Sequence, residues 1–231
     1  MKRQAILIAV SPKSDTIPSV FDDISCWQNF LRSDIGGGWD EPVIAKNYGR
    51  KEILSIVNAA KDAEYSFLVF AGHGKRIAAD RPWPETELRL SDDDTILERE
   101  LNPGTPSCTL ILDCWRSNSG QGETAKAEIN SLHEDVNNRA KCRDLYDQSI
   151  KRAERGLVSI YAPELKSASD DRLSFSQCLV REAVAWAQKN HGVLSIQSGV
   201  ALATKATRNI SCQPEYNGGR RLRHFPLAVR I

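Results

Sequence analysis

The sequence has almost no net charge and no cysteines at metal-binding spacing. Its 31 Lys and Arg residues nearly balance 30 Asp and Glu residues, which leaves a net charge of +1. This balance argues against nucleic acid and against an anionic membrane as partners. No CxxC pair occurs among the six cysteines, which argues against a zinc site and a dense disulfide framework. Such cysteine usage suits a reducing compartment, so we expect a cytoplasmic protein.

Other common signals are also missing. No apolar stretch approaches the length of a membrane span. A nucleotide-binding module is a weaker alternative, because no glycine-rich, phosphate-cradling loop follows the first apolar run. What is present is ordinary: 231 residues, 41% of them hydrophobic and 26% charged, are enough for a full globular core.

Short apolar runs alternate with helical patterns along the chain. This order predicts an α/β fold with a mostly parallel six-stranded sheet and helices on both faces. The predicted strands are residues 4–10, 42–46, the run ending before His73, the run ending at Cys114, 157–162 and 225–231. The predicted helices are residues 21–31, 53–60, 175–188 and 195–207. We expect one domain over residues 1–231, with a charged linker or helical insertion at about 121–155.

Two of these strands end in chemically reactive residues. Phe67-Leu-Val-Phe-Ala-Gly leads into His73 and Gly74, and Thr109-Leu-Ile-Leu leads into Asp113, Cys114 and Trp115. The carboxyl ends of parallel strands meet at one edge of a sheet, where a cleft opens. A Cys and a His brought together there can act as a thiolate nucleophile and its general base.

These motifs resemble those of caspase-fold cysteine peptidases, and metacaspase-like members most of all. The resemblance rests on "FAGHG", "LILDCWRSNSG" and the closing "HFPLAVRI", in that order along most of the chain. It implies a six-stranded α/β sheet, endopeptidase activity, and a His base that serves a Cys nucleophile. Proteins of this kind often serve programmed cell death or antiviral defence.

The resemblance assigns roles to individual residues. His73 corresponds to the base, and the backbone N–H of Gly74 to part of the oxyanion hole. Asp23 and Asp113 correspond to acids that line the primary substrate pocket, where two carboxylates would favour Arg or Lys before the cleaved bond.

The chain departs from the family at the nucleophile. Metacaspase-like proteins read D-C-C-H-S-G or D-S-C-H-S-G here, so an alignment on Asp113 places Trp115 at the catalytic position and Cys114 at the middle one. Alternate residues of a strand face opposite sides, so Cys114 then points away from the cleft. This interpretation predicts a degenerate peptidase that acts as a regulatory or interaction module. Its partners would be proteins or peptides, among them a related active peptidase or a second copy of the chain.

The alternative is a working endopeptidase that cleaves after Arg or Lys. A β-bulge or an early strand end would swing Cys114 into the cleft beside His73. Basic residues within 121–155 would then make this segment a self-processing linker. No cofactor or metal site is expected, because Asp92-Asp93-Asp94 lacks the alternating spacing of a calcium loop. Calcium stays possible only because some metacaspase-like enzymes need that ion.

Overall fold

A computed structural model describes residues 1–77, 85–114, 136–162, 174–206 and 214–231. Its centre is a six-stranded sheet in the order β10-β8-β7-β3-β1-β2. The strands are β1 (Arg3–Ala9), β2 (Val43–Lys46), β3 (Tyr65–Gly72), β7 (Ser107–Cys114), β8 (Gly156–Tyr161) and β10 (Glu215–Asn217). All neighbours pair parallel except β10, which runs antiparallel to β8. The α/β architecture expected from the sequence is confirmed.

In the described ranges, five helices cover the two faces of this sheet. They are α1 (Ser19–Arg32), α2 (Arg50–Ala59), α3 (Val136–Arg152), α4 (Phe175–Lys189) and α5 (Ile196–Ala206). One core cluster joins α1, α3, α4 and α5 to one side of the sheet, which we call the α1 face. A second cluster joins α2 to the other side, which we call the α2 face. No helix within the described ranges is long and apolar enough to cross a membrane.

The central strands β3 and β7 are buried along their whole length, which explains their continuous apolar sequence. Their register pairs Ala71 with Asp113 and Gly72 with Cys114. The two strands therefore end side by side. We call this end of the sheet the carboxyl edge, and the end where Ser107 pairs with Gly156 the amino edge.

The structure adds strands that the sequence pattern did not reveal. Residues 74–107 include a three-stranded sheet of β4 (Gly74–Ile77), β5 (Glu85–Arg89) and β6 (Thr95–Leu97), followed by a 3-10 turn. This small sheet packs on the α2 face through Leu88 and Ile96. The sequence pattern did not predict these strands because each is short and lies in a largely polar segment.

The sixth strand of the large sheet also differs from the expected one. We expected the last strand of the chain at residues 225–231, but β11 (Pro226–Arg230) pairs instead with β9 (Gly192–Ser195) in a separate two-stranded sheet. The sixth position belongs to β10, which is only three residues long. Within the segment 121–155, α3 confirms a helix from Val136, whereas residues 121–135 lie outside the described residues.

Candidate functional site

His73 lies at the carboxyl edge, between β3 and β4, and its ring is held by the loop that precedes α1. Its Nε2 donates to the backbone carbonyl of Asp15 at 2.9 Å and lies 3.2 Å from an Asp15 carboxylate oxygen. Because Nε2 carries the hydrogen in this contact, a neutral ring presents its other nitrogen, Nδ1, as the proton acceptor. The His73 side chain is 17% exposed. Asp15 lies 58 residues before His73 along the chain, so no local sequence pattern pointed to this contact.

The loop around Asp15 is itself fixed by charged groups of the small sheet. Arg89 donates to Asp92 at 2.9 Å and to the Ser14 hydroxyl at 2.9 Å, and Ser14 also donates to Asp92. The Ser14 and Arg89 contacts hold the pKa of Asp92 below its usual range. His73 therefore sits in an ordered polar surround.

Cys114 occupies a different environment, although its strand ends beside that of His73. The residue is 1% exposed and belongs to the apolar cluster of the α2 face, together with Leu110 and Leu112. Gly74 lies directly against it: a Cβ on Gly74 would come within 2.9 Å of the Cys114 Sγ. The thiol is thus packed as part of a hydrophobic core.

Asp113 points to the opposite side of the sheet and holds the start of α4. It is 2% exposed, and one of its carboxylate oxygens accepts the Ser176 backbone N–H at 2.9 Å. This contact occupies one of the backbone N–H groups that the start of a helix leaves without an intrahelical partner. Asp113 and Cys114, adjacent in sequence, face opposite cores.

Asp23, a buried residue of α1, joins the same arrangement. Its Oδ1 accepts from the Ser174 hydroxyl at 2.5 Å and from the Gln177 side-chain amide at 3.0 Å. Ser174 in turn caps α4, because its hydroxyl accepts the Gln177 backbone N–H at 3.1 Å. We call Asp23, Asp113 and the Ser174–Gln177 segment the carboxylate cap. The structure thus brings both sequence-predicted acids to one place.

Two buried thiols lie on the α1 face near the cap. Burial raises the pKa of Cys178 to about 11, against an opposing effect of Arg181 and in line with the charge of Asp113. Burial likewise raises the pKa of Cys26 to about 12. Thiols on this face are therefore protonated and unreactive at neutral pH.

Neither a metal site nor a calcium loop emerges from the described ranges. No group of three or more His, Cys, Asp or Glu side chains in them is placed to hold a metal ion. In the Asp92–Asp94 run, Asp92 binds Ser14 and Arg89, and Asp94 accepts the Arg50 backbone N–H at 2.9 Å. These acids serve local structure.

The predicted site residues divide into three groups. His73 and Gly74 lie at the carboxyl edge, and Asp23 and Asp113 meet at the carboxylate cap. Cys114 is buried on the α2 face. Trp115 lies outside the described residues, so its predicted position stays a prediction. Ser174 was not among the predicted site residues, although a Ser directly before the apolar helix pattern at Phe175 is a typical N-cap signal.

Comparisons with known proteins support the fold. No family model matches the chain, and neither does any curated protein. Among solved structures, the Drosophila initiator caspase Dronc matches with a TM-score of 0.56 and 8% identity, over 98% of this chain and 82% of that one. Protein GSU0716 from Geobacter sulfurreducens matches with a TM-score of 0.57 and 15% identity, over 94% of this chain and 93% of that one.

At these identities the likeness concerns the fold alone. Together with the six-stranded sheet, it defines this chain as a protein with a caspase-like fold.

Proposed function

We propose that this chain is a caspase-like protein that does not hydrolyse peptide bonds and acts as a regulatory or interaction module. The observation that carries this proposal is the environment of Cys114. A cysteine nucleophile needs a lowered thiol pKa and an adjacent base, and both require a polar setting. The Cys114 thiol is packed against Gly74 within an apolar cluster.

The state of the two predicted pocket acids supports the same function. An acid that binds a substrate Arg or Lys must be reachable by that side chain. Asp23 is 0% exposed and accepts hydrogen bonds from Ser174 and Gln177, while Asp113 accepts one from Ser176. Their carboxylates stabilise a helix start, a structural role that would be kept in a protein without peptidase activity.

The sequence contributes the third argument. The resemblance places Trp115 at the nucleophile position, and an indole has no nucleophilic group. A protein with this scaffold and without hydrolysis would act by binding a protein or peptide, such as a related active peptidase, in a cell-death or defence system.

One observation favours the alternative, an endopeptidase that uses Cys114 and cleaves after Arg or Lys. Asp15 fixes the His73 ring so that Nδ1 is the acceptor, which is the arrangement of an oriented general base. This activity would need the Cys114 thiol to leave the α2 face and approach that nitrogen.

Hydrolysis of fluorogenic peptides ending in Arg or Lys separates these functions. We expect the wild-type chain, with calcium or with a chelator, to show no more turnover than Cys114→Ala. The control is Cys108→Ala, which removes a buried thiol from the same strand and the same face. Turnover that disappears in Cys114→Ala and His73→Ala, but persists in Cys108→Ala, would establish the peptidase instead.

A gain-of-function variant tests whether residue 115 occupies the nucleophile position. If Trp115 occupies the nucleophile position, Trp115→Cys restores a thiol there, and this thiol should react with a peptide electrophile. The adduct should map to residue 115 and disappear when His73→Ala is added. An adduct that forms equally well without His73 would argue against this alignment.

A further inference from the structure

Two segments with an unusual concentration of positive charge meet at the amino edge of the sheet. Residues 151–156 form the end of α3 and the start of β8, and residues 218–224 form the loop between β10 and β11. We call these two segments together the basic edge. They contain six basic residues and a single acid, a net charge of +5: Lys151, Arg152, Glu154, Arg155, Arg220, Arg221 and Arg223. The whole chain carries only +1, so the remainder carries −4.

Arg221 holds the two segments together. Its guanidinium donates to the backbone carbonyls of Glu154 at 3.2 Å and of Arg155 at 3.1 Å. The same group lies over the Phe225 ring, 5.6 Å from its centroid. Gly156 has a φ of +124° and leaves room for this contact, because a Cβ there would come within 2.5 Å of an Arg221 nitrogen. The loop is therefore presented in a defined position.

The other basic residues of this edge remain available for a partner. Lys151, Arg152, Arg155, Arg220 and Arg223 are exposed, and none forms an ion pair within the described part of the chain. Two arginines elsewhere are engaged, by contrast: Arg143 pairs with Asp40 at 2.8 Å, and Arg89 pairs with Asp92. Five unpaired cations on one edge repel each other, and an anionic surface would relieve that repulsion.

The exposed side chain of Leu222 indicates which kind of anionic partner fits the basic edge. It is 89% exposed, whereas the other exposed large apolar side chains range from 37% to 43%. Leu222 lies at the loop between Arg221 and Arg223, so it protrudes amid positive charge. An apolar side chain on a protrusion gains nothing from phosphates of a nucleic acid, and no exposed aromatic ring accompanies it within the basic edge for base stacking. A fluid lipid interface can surround a protruding leucine without needing a matching pocket.

We propose that the basic edge docks this protein on an anionic lipid bilayer. Leu222 inserts at the boundary between headgroups and acyl chains, and the five unpaired cations face the lipid phosphates. The eight residues of β7 separate this edge from the carboxyl edge by about 25 Å, at about 3.3 Å per residue. The His73 region therefore faces away from the membrane and stays open to a partner. The near-zero net charge of the chain predicted no membrane contact, because a total charge does not show that positive charge is concentrated at this edge.

Co-sedimentation of the full chain with vesicles tests this proposal. We expect the protein to sediment with vesicles of phosphatidylcholine containing 30 mol% phosphatidylserine, and not with phosphatidylcholine alone. Raising the salt concentration from about 50 to 500 mM should weaken binding at least tenfold, because the Debye length shrinks from about 14 to about 4 Å. Arg223→Glu and Leu222→Ser should each weaken binding about tenfold.

Matched controls are available at the opposite edge. Lys51→Glu makes the same change of charge at the start of α2, and Tyr48→Ser removes another exposed apolar side chain. Both variants should bind like the wild type. The proposal is overturned if the wild type does not sediment with the anionic vesicles at low salt, or if Lys51→Glu weakens binding as much as Arg223→Glu. The proposal is also overturned, in favour of an acidic protein partner, if Leu222→Ser binds the vesicles like the wild type and polyglutamate displaces both proteins from the vesicles equally well.

Discussion

At the carboxyl end of β7, two adjacent residues are buried on opposite faces of the strand in contrasting surroundings. On the α1 face, Asp113 and Asp23 are buried among hydrogen-bond donors from the start of α4. On the α2 face, Cys114 is buried among leucines beneath Gly74. Burial alone therefore does not define a role: the first environment supplies hydrogen-bond donors to carboxylates, and the second packs a sulfur atom among apolar side chains.

This difference is the physical basis of the binding role proposed above. A peptidase needs its thiol on a polar, accessible side of the strand and its pocket acids free for substrate. Here the polar side carries two occupied carboxylates, and the thiol lies on the apolar side. Each of the following variants changes one side while leaving the other intact.

The largest effect is expected on the polar face, from Asp23→Ala. The change leaves the Ser174 hydroxyl and the Gln177 amide buried without their acceptor, which costs about 2–4 kcal/mol of unfolding free energy. Urea unfolding measures this loss. The control Asp62→Ala removes an exposed acid and should change the free energy by less than about 0.5 kcal/mol. Equal effects of the two substitutions would contradict the carboxylate cap.

On the apolar face, Gly74→Ala should cost about 1–3 kcal/mol because the new methyl group meets the Cys114 Sγ. Cys114→Ala removes that sulfur, so the double variant should lose clearly less stability than the sum of the two single variants. Chemical denaturation of all four proteins gives the coupling energy. Strictly additive losses would mean that Gly74 and Cys114 do not pack together.

A smaller effect is expected from Asp113→Asn, which keeps the side-chain shape and removes the charge. The hydrogen bond to the Ser176 N–H weakens and the helix start loses its counter-charge, which together cost about 1–2 kcal/mol. Its unfolding midpoint should fall without a change in slope. A stability equal to that of the wild type would show that the charge contributes nothing.

The smallest expected effect is on the pH dependence of stability, and it involves one buried thiol from each face. Burial raises the pKa of Cys26 on the α1 face and of Cys108 on the α2 face to about 12, from an ordinary value of 9.0. Above pH 9 the unfolded chain releases these protons while the folded chain keeps them, so stability falls as pH rises toward 12. Each thiol should contribute about 1 kcal/mol of the fall between pH 9 and 10.

Stability curves of Cys26→Ala and Cys108→Ala at these two pH values check this prediction. Each variant should show a shallower fall than the wild type. If neither variant changes the pH dependence, the buried thiols do not cause it.

The sequence was informative where packing leaves a strong periodic pattern. The fully buried strands β3 and β7 appear as continuous apolar runs, and their reactive ends were identified because both strands stop at the same edge. The alternation of side chains also placed Asp113 and Cys114 on opposite faces, as the structure has them. The contact of His73 with Asp15 depends on a long loop and left no local pattern.

The strand β10 was not predicted for a different reason. Its three residues, Glu215–Asn217, are too few for any periodicity to show. The roles of Asp23 and Asp113 at the start of α4 arise from tertiary contacts across about 60 to 150 residues, which no spacing rule encodes.

The most direct test of the central claim is the reaction of the purified protein with an irreversible electrophile carried on a peptide that ends in Arg. Intact-mass measurement near neutral pH, with peptide mapping of any adduct, reports whether Cys114 is a nucleophile. The account predicts no adduct at Cys114 in the folded protein, and labelling of that thiol by a small alkylating reagent only after unfolding. A single adduct on Cys114 that disappears in His73→Ala would contradict the account and identify a working peptidase.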